Sequence, residues 1–245
     1  MNPQKSVFNW SGGKDSSIAL YHALRNGDYA IEQLLSTLNQ STDRLSMHRV
    51  RRALIQQQAQ SIGIPLEMVD LPAEPSMKAY NESMGEVMQA LKSDGFTHSI
   101  FGDIFLEDLR QYREQQSQKL GFEAVFPIWK RDTEELMQEF LDLDFKAITI
   151  CVKAELLGKE FVGRVIDEAF VDDLPEAVDP CGENGEFHTF VYDGPMFDRP
   201  IPFEIGEKVY REYEAPSSEK DECELSNETD PDKIGFWFCD LVPEK

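Results

Sequence analysis

A chain of 245 residues with 41% hydrophobic content can bury enough apolar surface for one large domain or two modest ones, and none of its apolar runs approaches the length of a membrane span. A formal net charge of -22 is poorly suited to a phosphate backbone, so nucleic acid is not expected as a partner, and without a spanning run neither is a membrane. Cys151, Cys181, Cys223 and Cys239 form no Cys-x-x-Cys pair, which argues against a zinc site and a disulfide scaffold, and the N-terminus has no secretory pattern; reduced thiols and a cytoplasmic location are expected.

The first apolar run, Lys5 to Trp10, reads as a buried strand, and Ile18, Ala19, Tyr21, His22 and Leu24 then recur at helical spacing up to Asn26-Gly27. Between them lies Ser11-Gly12-Gly13-Lys14-Asp15-Ser16-Ser17. A glycine-rich turn entering a helix points backbone N–H groups and the positive end of the dipole at one spot, and Lys14 adds a full charge there. The stretch is therefore an anion cradle, with Lys14 expected to be exposed and its removal to spare the fold. It is not the common phosphate loop, which needs a glycine six positions before the lysine and Ser or Thr after it; Phe8 and Asp15 stand there.

Ile31 to Leu38 is a second strand, followed by the turn Asn39 to Asp43. Ser46 is placed to cap a helix carrying Val50, Ala53, Leu54 and Ile62 and ending at Gly63. The basic cluster Arg44, His48, Arg49, Arg51 and Arg52 reads as a solvated face. Leu66 to Leu71 is a strand, Met77 to Leu91 a helix, and His98 to Asp103 a fourth strand. Strands alternating with helices predict a parallel sheet, whose ligands bind beyond the strands' carboxyl ends; Ser11 to Ser17, Leu38 and Gly102-Asp103 converge there. After Asp103, Arg110 and Arg113 are spaced to share a helix face and to offer donors to phosphate or carboxylate.

Phe126-Pro127-Ile128-Trp129 closes the first domain, so the division expected is 1–125 and 126–245. Asp132 to Leu143 is a helix and Phe145 to Val152 a strand of a second, smaller sheet. From Phe187 the pattern gives a strand, an Asp193-Gly194-Pro195 turn and a second strand, and Ile234 to Val242 a last one; Ser217 to Asp232, polar and acidic, reads as a mobile loop. The fold class is α/β, a parallel-sheet Rossmann-like N-terminal domain with a mixed α+β C-terminal domain. Ahead of the Phe187 strand, Asp179 to Thr189 concentrates glycines, carboxylates, an amide and an imidazole. Glu183 and Glu186 could hold a metal or accept protons from an amine, and His188 could titrate near neutrality.

The first stretch resembles the Ser-Gly-Gly-x-Asp-Ser signature of the PP-loop ATP pyrophosphatases, also called adenine nucleotide alpha hydrolases. Together with Gly102-Asp103 and its arginines, and with Gly182 to Thr189 followed by Val191-Tyr192-Asp193-Gly194-Pro195, it resembles the diphthine–ammonia ligase family over nearly the whole chain. That resemblance implies activation of a carboxylate by ATP as an acyl-adenylate, release of pyrophosphate, and displacement of AMP by ammonia. ATP would be held by Ser11, Gly12, Gly13, Lys14, Asp15, Ser16, Ser17, Leu38 and Gly102, and Mg2+ by Asp15 or Asp103. Lys14, Asp103, Arg113, Glu183, Glu186 and His188 form the catalytic set, with Glu186 and His188 serving the acceptor half-reaction. Diphthamide-making members typically carry a glutamate where this chain has His188; the variant resembles a largely bacterial branch and favours a small-molecule acid as acceptor, steered by Arg110, Arg113, Lys153 and Arg164. Partners are then a carboxylate substrate and ammonia, and a homodimer is compatible with the sequence.

Overall fold

The computed structural model describes residues 2–45, 49–72, 77–214 and 233–244. In chain order the first lobe holds β1 (Gln4–Asn9), α1 (Lys14–Asn26), β2 (Tyr29–Asn39), β3 (Arg44–Leu45), α2 (Arg52–Ile62), β4 (Leu66–Leu71), α3 (Met77–Ser93), β5 (His98–Ile100), α4 (Glu107–Lys119) and β6 (Glu123–Val125). The sheet runs β3-β2-β1-β5-β6 with β4 also on β2; every pairing is parallel except β2 with the short β3. Strand order turns outward in opposite directions from β1 and β5, and a crevice opens beyond their carboxyl ends, as at other such reversals in α/β sheets.

The second lobe contains α5 (Thr133–Asp142), β7 (Lys146–Lys153), α6 (Glu168–Asp172), β8 (Phe187–Asp193), β9 (Phe203–Glu214) and β10 (Lys233–Pro243), with an antiparallel sheet ordered β8-β7-β10-β9. Asp132 caps α5 by accepting the Glu134 and Glu135 backbone N–H groups, satisfying two donors the first turn leaves open. One apolar core passes through both lobes, from Phe8, Leu20 and Leu54 to Phe140, Phe190 and Leu241; a smaller cluster lies under α3.

Several sequence expectations change. The Asp193-Gly194-Pro195 turn does not join a hairpin: β8 pairs with β7 and β9 with β10, on opposite edges of the sheet. Residues 195–202 make that crossing, with Ile201 N–H donating to Tyr192 O at 2.7 Å. β6 has only three residues and was not expected; it adds to the edge through pairing with β5. The basic cluster is no solvated face. Arg44 and Arg51 grip Asp240 of β10 at 2.7 and 2.5 Å, Arg52 pairs with Asp43 and Asp70, and Arg49 donates to the Tyr213 hydroxyl. Ser46, His48 and the 217–232 stretch lie outside the described residues.

Candidate active site

The turn from β1 into α1 is set by its own hydroxyls and by the second lobe. Gly13 caps the helix; its carbonyl accepts the Ser16 and Ser17 hydroxyls at 3.1 and 2.9 Å, while Ser11 Oγ donates to Ser16 Oγ at 3.0 Å. Gly12 adopts φ 76, a left-handed value that favours glycine, and a Cβ there would lie 2.6 Å from Gln58 Oε1. Its carbonyl accepts Val191 N–H (2.9 Å) and Gln58 Nε2 (3.0 Å). Lys14 N–H donates to Thr189 Oγ1 at 2.9 Å. Strand β8 thus holds the phosphate-type turn from outside its own lobe.

A cavity of about 610 Å³ opens over this turn, within the range of small-molecule sites. From the first lobe it is lined by Asn9, Ser11, Gly13, Lys14, Asp15, Ser16, Phe101, Gly102, Asp103, Leu106, Leu109 and Arg113. From the second it is lined by Gly182, Glu183, Asn184, Gly185, Phe187, His188 and Thr189. Gly102 packs directly on the start of α1: a Cβ would come 2.9 Å from Ser16 Cα and 3.0 Å from Ser16 N. Only the smallest residue lets the β5 end and the first turn of α1 meet this closely.

The charges are paired across the floor. Lys14 is buried and not exposed as expected, with Nζ against Asp15 and 5.7 Å from the Phe187 ring centroid. Burial works against its charge, but the carboxylates of Asp15 and Glu183 offset this and hold its pKa above the ordinary lysine value. Burial pushes the Asp15 carboxyl up while Lys14 pulls it down; with its side chain 31% exposed toward the cavity, Asp15 remains within reach of water. Arg113 Nη2 donates to Asp103 Oδ1 at 3.1 Å, its Nε lies 2.6 Å from Oδ2, and its guanidinium stacks 4.6 Å from the Phe101 centroid. Glu183 reaches across from the second lobe to accept Ile104 N–H (2.9 Å) and Phe105 N–H (3.4 Å). Burial dominates over those hydrogen bonds and lifts its pKa to about 7.

Other expected site residues take different places. His188 lines the cavity, but burial, aided by Lys14, lowers its pKa to about 4, so it is neutral and does not titrate near neutrality. Glu186 is 3% exposed and lies outside the cavity wall; its Oε1 accepts Asn184 Nδ2 (3.0 Å) and Asp179 N–H (3.2 Å), bracing the turn that presents Glu183. Leu38 is wholly buried in the core, while Gly12 and Ser17 support the turn from behind. Of the four steering cations only Arg113 lines the cavity. Arg110 pairs with Glu114 and stacks on Trp129, Lys153 pairs with Glu155, and Arg164 pairs with Asp173. Burial raises the Cys181 thiol to about 12 even with Lys14 nearby, so it is no sulfur nucleophile at neutral pH.

Gln58 and Thr189 were missing from the expected set. Gln58 is fully buried, its Oε1 accepting Trp10 Nε1–H at 3.0 Å and its Nε2 donating to the carbonyls of Gly12 and Val191 (2.5 Å). The signal was a glutamine on the apolar stripe of α2, between Leu54, Ile55 and Ala59. Among the described residues no helix is long and apolar enough to cross a membrane, and no three acidic, His or Cys side chains gather as a metal cluster.

The diphthamide synthase N-terminal domain matches residues 4–124 and the diphthamide synthase C-terminal domain residues 132–217. The human diphthine–ammonia ligase is 25% identical over 226 residues, covering 84% of this chain and 85% of that protein; the zebrafish (Danio rerio) protein of the same name is 25% identical over 228 residues, covering 84% and 88%. The cattle (Bos taurus) diphthine–ammonia ligase is 29% identical over 140 residues, a match spanning 55% of this chain and 52% of that protein. With both domain profiles matched in order on the two lobes that wall the cavity, the chain belongs to the diphthine–ammonia ligase family of PP-loop ATP pyrophosphatases.

Proposed function

We propose that the chain is an ATP-dependent ligase that joins ammonia to a carboxylate as an amide, with AMP and pyrophosphate as products. The observation that carries this reading is a single cavity in which the first lobe supplies an anion cradle and the second supplies Glu183. ATP fits the first half: Gly13 at the helix N-terminus, the Ser11 and Ser16 hydroxyls and the Lys14 cation are the donor set that a leaving pyrophosphate needs. Lys14, held charged by its neighbours, stabilises that leaving charge. Mg2+ takes one or two carboxylates with phosphate oxygens and water, and Asp15 and Asp103 are the cavity carboxylates that would hold it, where it would supply charge neutralisation.

Glu183 answers a separate need. Ammonium has no lone pair, so a base must take one proton before nitrogen can attack; a carboxylate with pKa about 7 can accept that proton near neutral pH and hold it as the acid. Arg113, fixed by Asp103 and Phe101, orients the acceptor carboxylate at the opposite wall. For the acceptor itself we favour a small carboxylic acid. The support is that neutral His188 occupies the wall position where the diphthine-amidating pattern carries a glutamate.

The test is product analysis with alpha-labelled ATP across a panel of carboxylic acids and diphthine-bearing elongation factor, with and without ammonia. Label in AMP that depends on both acid and ammonia is expected. Label only in ADP, or none converted with any acceptor, defeats the ligase reading in favour of a nucleotide-binding sensor. Turnover of diphthine alone keeps the ligase and defeats the small-acid acceptor.

A further inference from the structure

We propose a second anion site, lined by none of the residues of the candidate active-site cavity, in which Arg44, Arg49 and Arg211 hold a small phosphate-type dianion. It occupies a separate cavity of about 210 Å³ where β3 of the first lobe meets the β9–β10 face of the second, walled also by Glu207, Phe238 and Asp240. The volume accommodates an ion of phosphate size together with bridging waters, each of which takes about 30 Å³ of liquid volume.

Charge counting makes the wall an anion receptor. Asp240 is one carboxylate shared by two guanidiniums, Arg44 at 2.7 Å and Arg51 at 2.5 Å. Arg49 has no carboxylate among its described contacts: it donates to the Tyr213 hydroxyl and lies 5.3 Å from the Phe238 ring centroid, contacts that fix its plane without neutralising it. Arg211 is exposed and has no ion-pair partner among the described residues. On the wall itself three guanidiniums, those of Arg44, Arg49 and Arg211, face two carboxylates, those of Asp240 and Glu207, and Asp240 is shared with Arg51 from outside the wall, which leaves a local surplus of positive charge. A chain of net charge -22 repels anions on average, so binding here depends on this geometry, in which planar forks match the oxygens of a tetrahedral oxyanion. Arg49 also sits at φ 55, an uncommon conformation for a residue with a side chain.

The three arginines come from different lobes: Arg44 and Arg49 from the first, Arg211 from β9 of the second. A bound dianion ties together the two lobes that wall the catalytic cavity. The site stands independently of the ligase reading, because none of its residues lines that cavity.

Calorimetric titration with inorganic phosphate, and separately with pyrophosphate, tests it. Two saturable sites are expected in the wild-type chain and one in Arg211→Glu, whose side chain is exposed and whose fold should persist. Lys14→Ala should retain the site that Arg211→Glu loses. Arg49→Lys should weaken that site at least tenfold while keeping its charge, because an ammonium lacks the fork. Thermal denaturation should show a phosphate-dependent rise in Tm that is smaller in Arg211→Glu than in the wild type, because only the remaining site contributes. Equal binding in the wild-type and Arg211→Glu chains overturns the proposal, as does a Tm response matched by sodium chloride of equal ionic strength.

Discussion

Lys14 combines two demands usually kept apart, since its ammonium must meet a phosphate and is also buried beside Asp15, Cys181 and Glu183. Lys14→Ala should therefore lower turnover by about 100-fold, the usual cost of one electrostatic donor to a developing anion. It should also lower stability, measured by urea titration, because Asp15 is left without its counter-ion. Retained turnover would remove Lys14 from the chemistry. Glu183 carries the pH dependence. Its native pKa of about 7 stands above the ordinary 4.5, so its contribution to stability is fully present below about 4.5 and is lost as pH rises through 7. Glu183→Gln should be more resistant to urea than the wild type above pH 7, yet should lose the limb of kcat that rises with pH near neutrality. His188, at about 4, should add no inflection between pH 6 and 7; a His188→Gln profile that shifts there would contradict its neutral state. The carboxylates show how far the sequence could reach. Asp179, Glu183 and Glu186 are equivalent as letters, but the turn between them sends Glu183 into the cavity and Glu186 into the interior. Only tertiary packing decides that, so Glu186 was assigned chemistry when it braces a loop.

At the scale of elements, β1, α1, β5 and α4 were legible because each carries its own signal: an apolar run, a glycine-rich entry, or Gly102-Asp103 before a helix. The separate partners of β8 and β9 were not, because a Gly-Pro turn marks a reversal of the chain without fixing which strand lies alongside. Nor could spacing show that Arg44 and Arg51 would meet Asp240, which follows them by 196 and 189 residues. Gln58 is the most consequential of these long connections, since it links α2 to the turn and to β8 at once. Gln58→Leu keeps the volume but strands Trp10 Nε1–H and the Val191 carbonyl, while Gly12 O keeps Val191 N–H. At about 1–3 kcal/mol for each buried group left unsatisfied, a loss of about 3 kcal/mol is expected in urea titration, with a raised KM for ATP. Gly102→Ala should raise that KM as well, since its Cβ would meet the backbone of Ser16, at an overpacking cost of about 1–3 kcal/mol. Wild-type ATP kinetics in both variants would show that the turn tolerates displacement.

Across the whole molecule, two domain profiles share one mechanical unit. Val191 N–H and Thr189 Oγ1 supply partners to Gly12 O and Lys14 N–H, so the second lobe completes the turn that the first lobe's sequence announces. The core is likewise continuous, with Phe8, Ile18 and Leu54 in the same cluster as Phe187, Phe190 and Val191. A fragment ending after β6, residues 1–131, would expose that shared face and leave the Gly12 carbonyl with Gln58 alone. It should unfold at a markedly lower urea concentration than the full chain and bind ATP at least tenfold more weakly. The full chain should unfold in one transition, reported alike by far-ultraviolet circular dichroism and by fluorescence of Trp10 and Trp237, which lie in different lobes. Two separated transitions, or a fragment that binds ATP with the affinity of the whole chain, would make the lobes independent and leave the contacts between β8 and the turn without a part in forming the site.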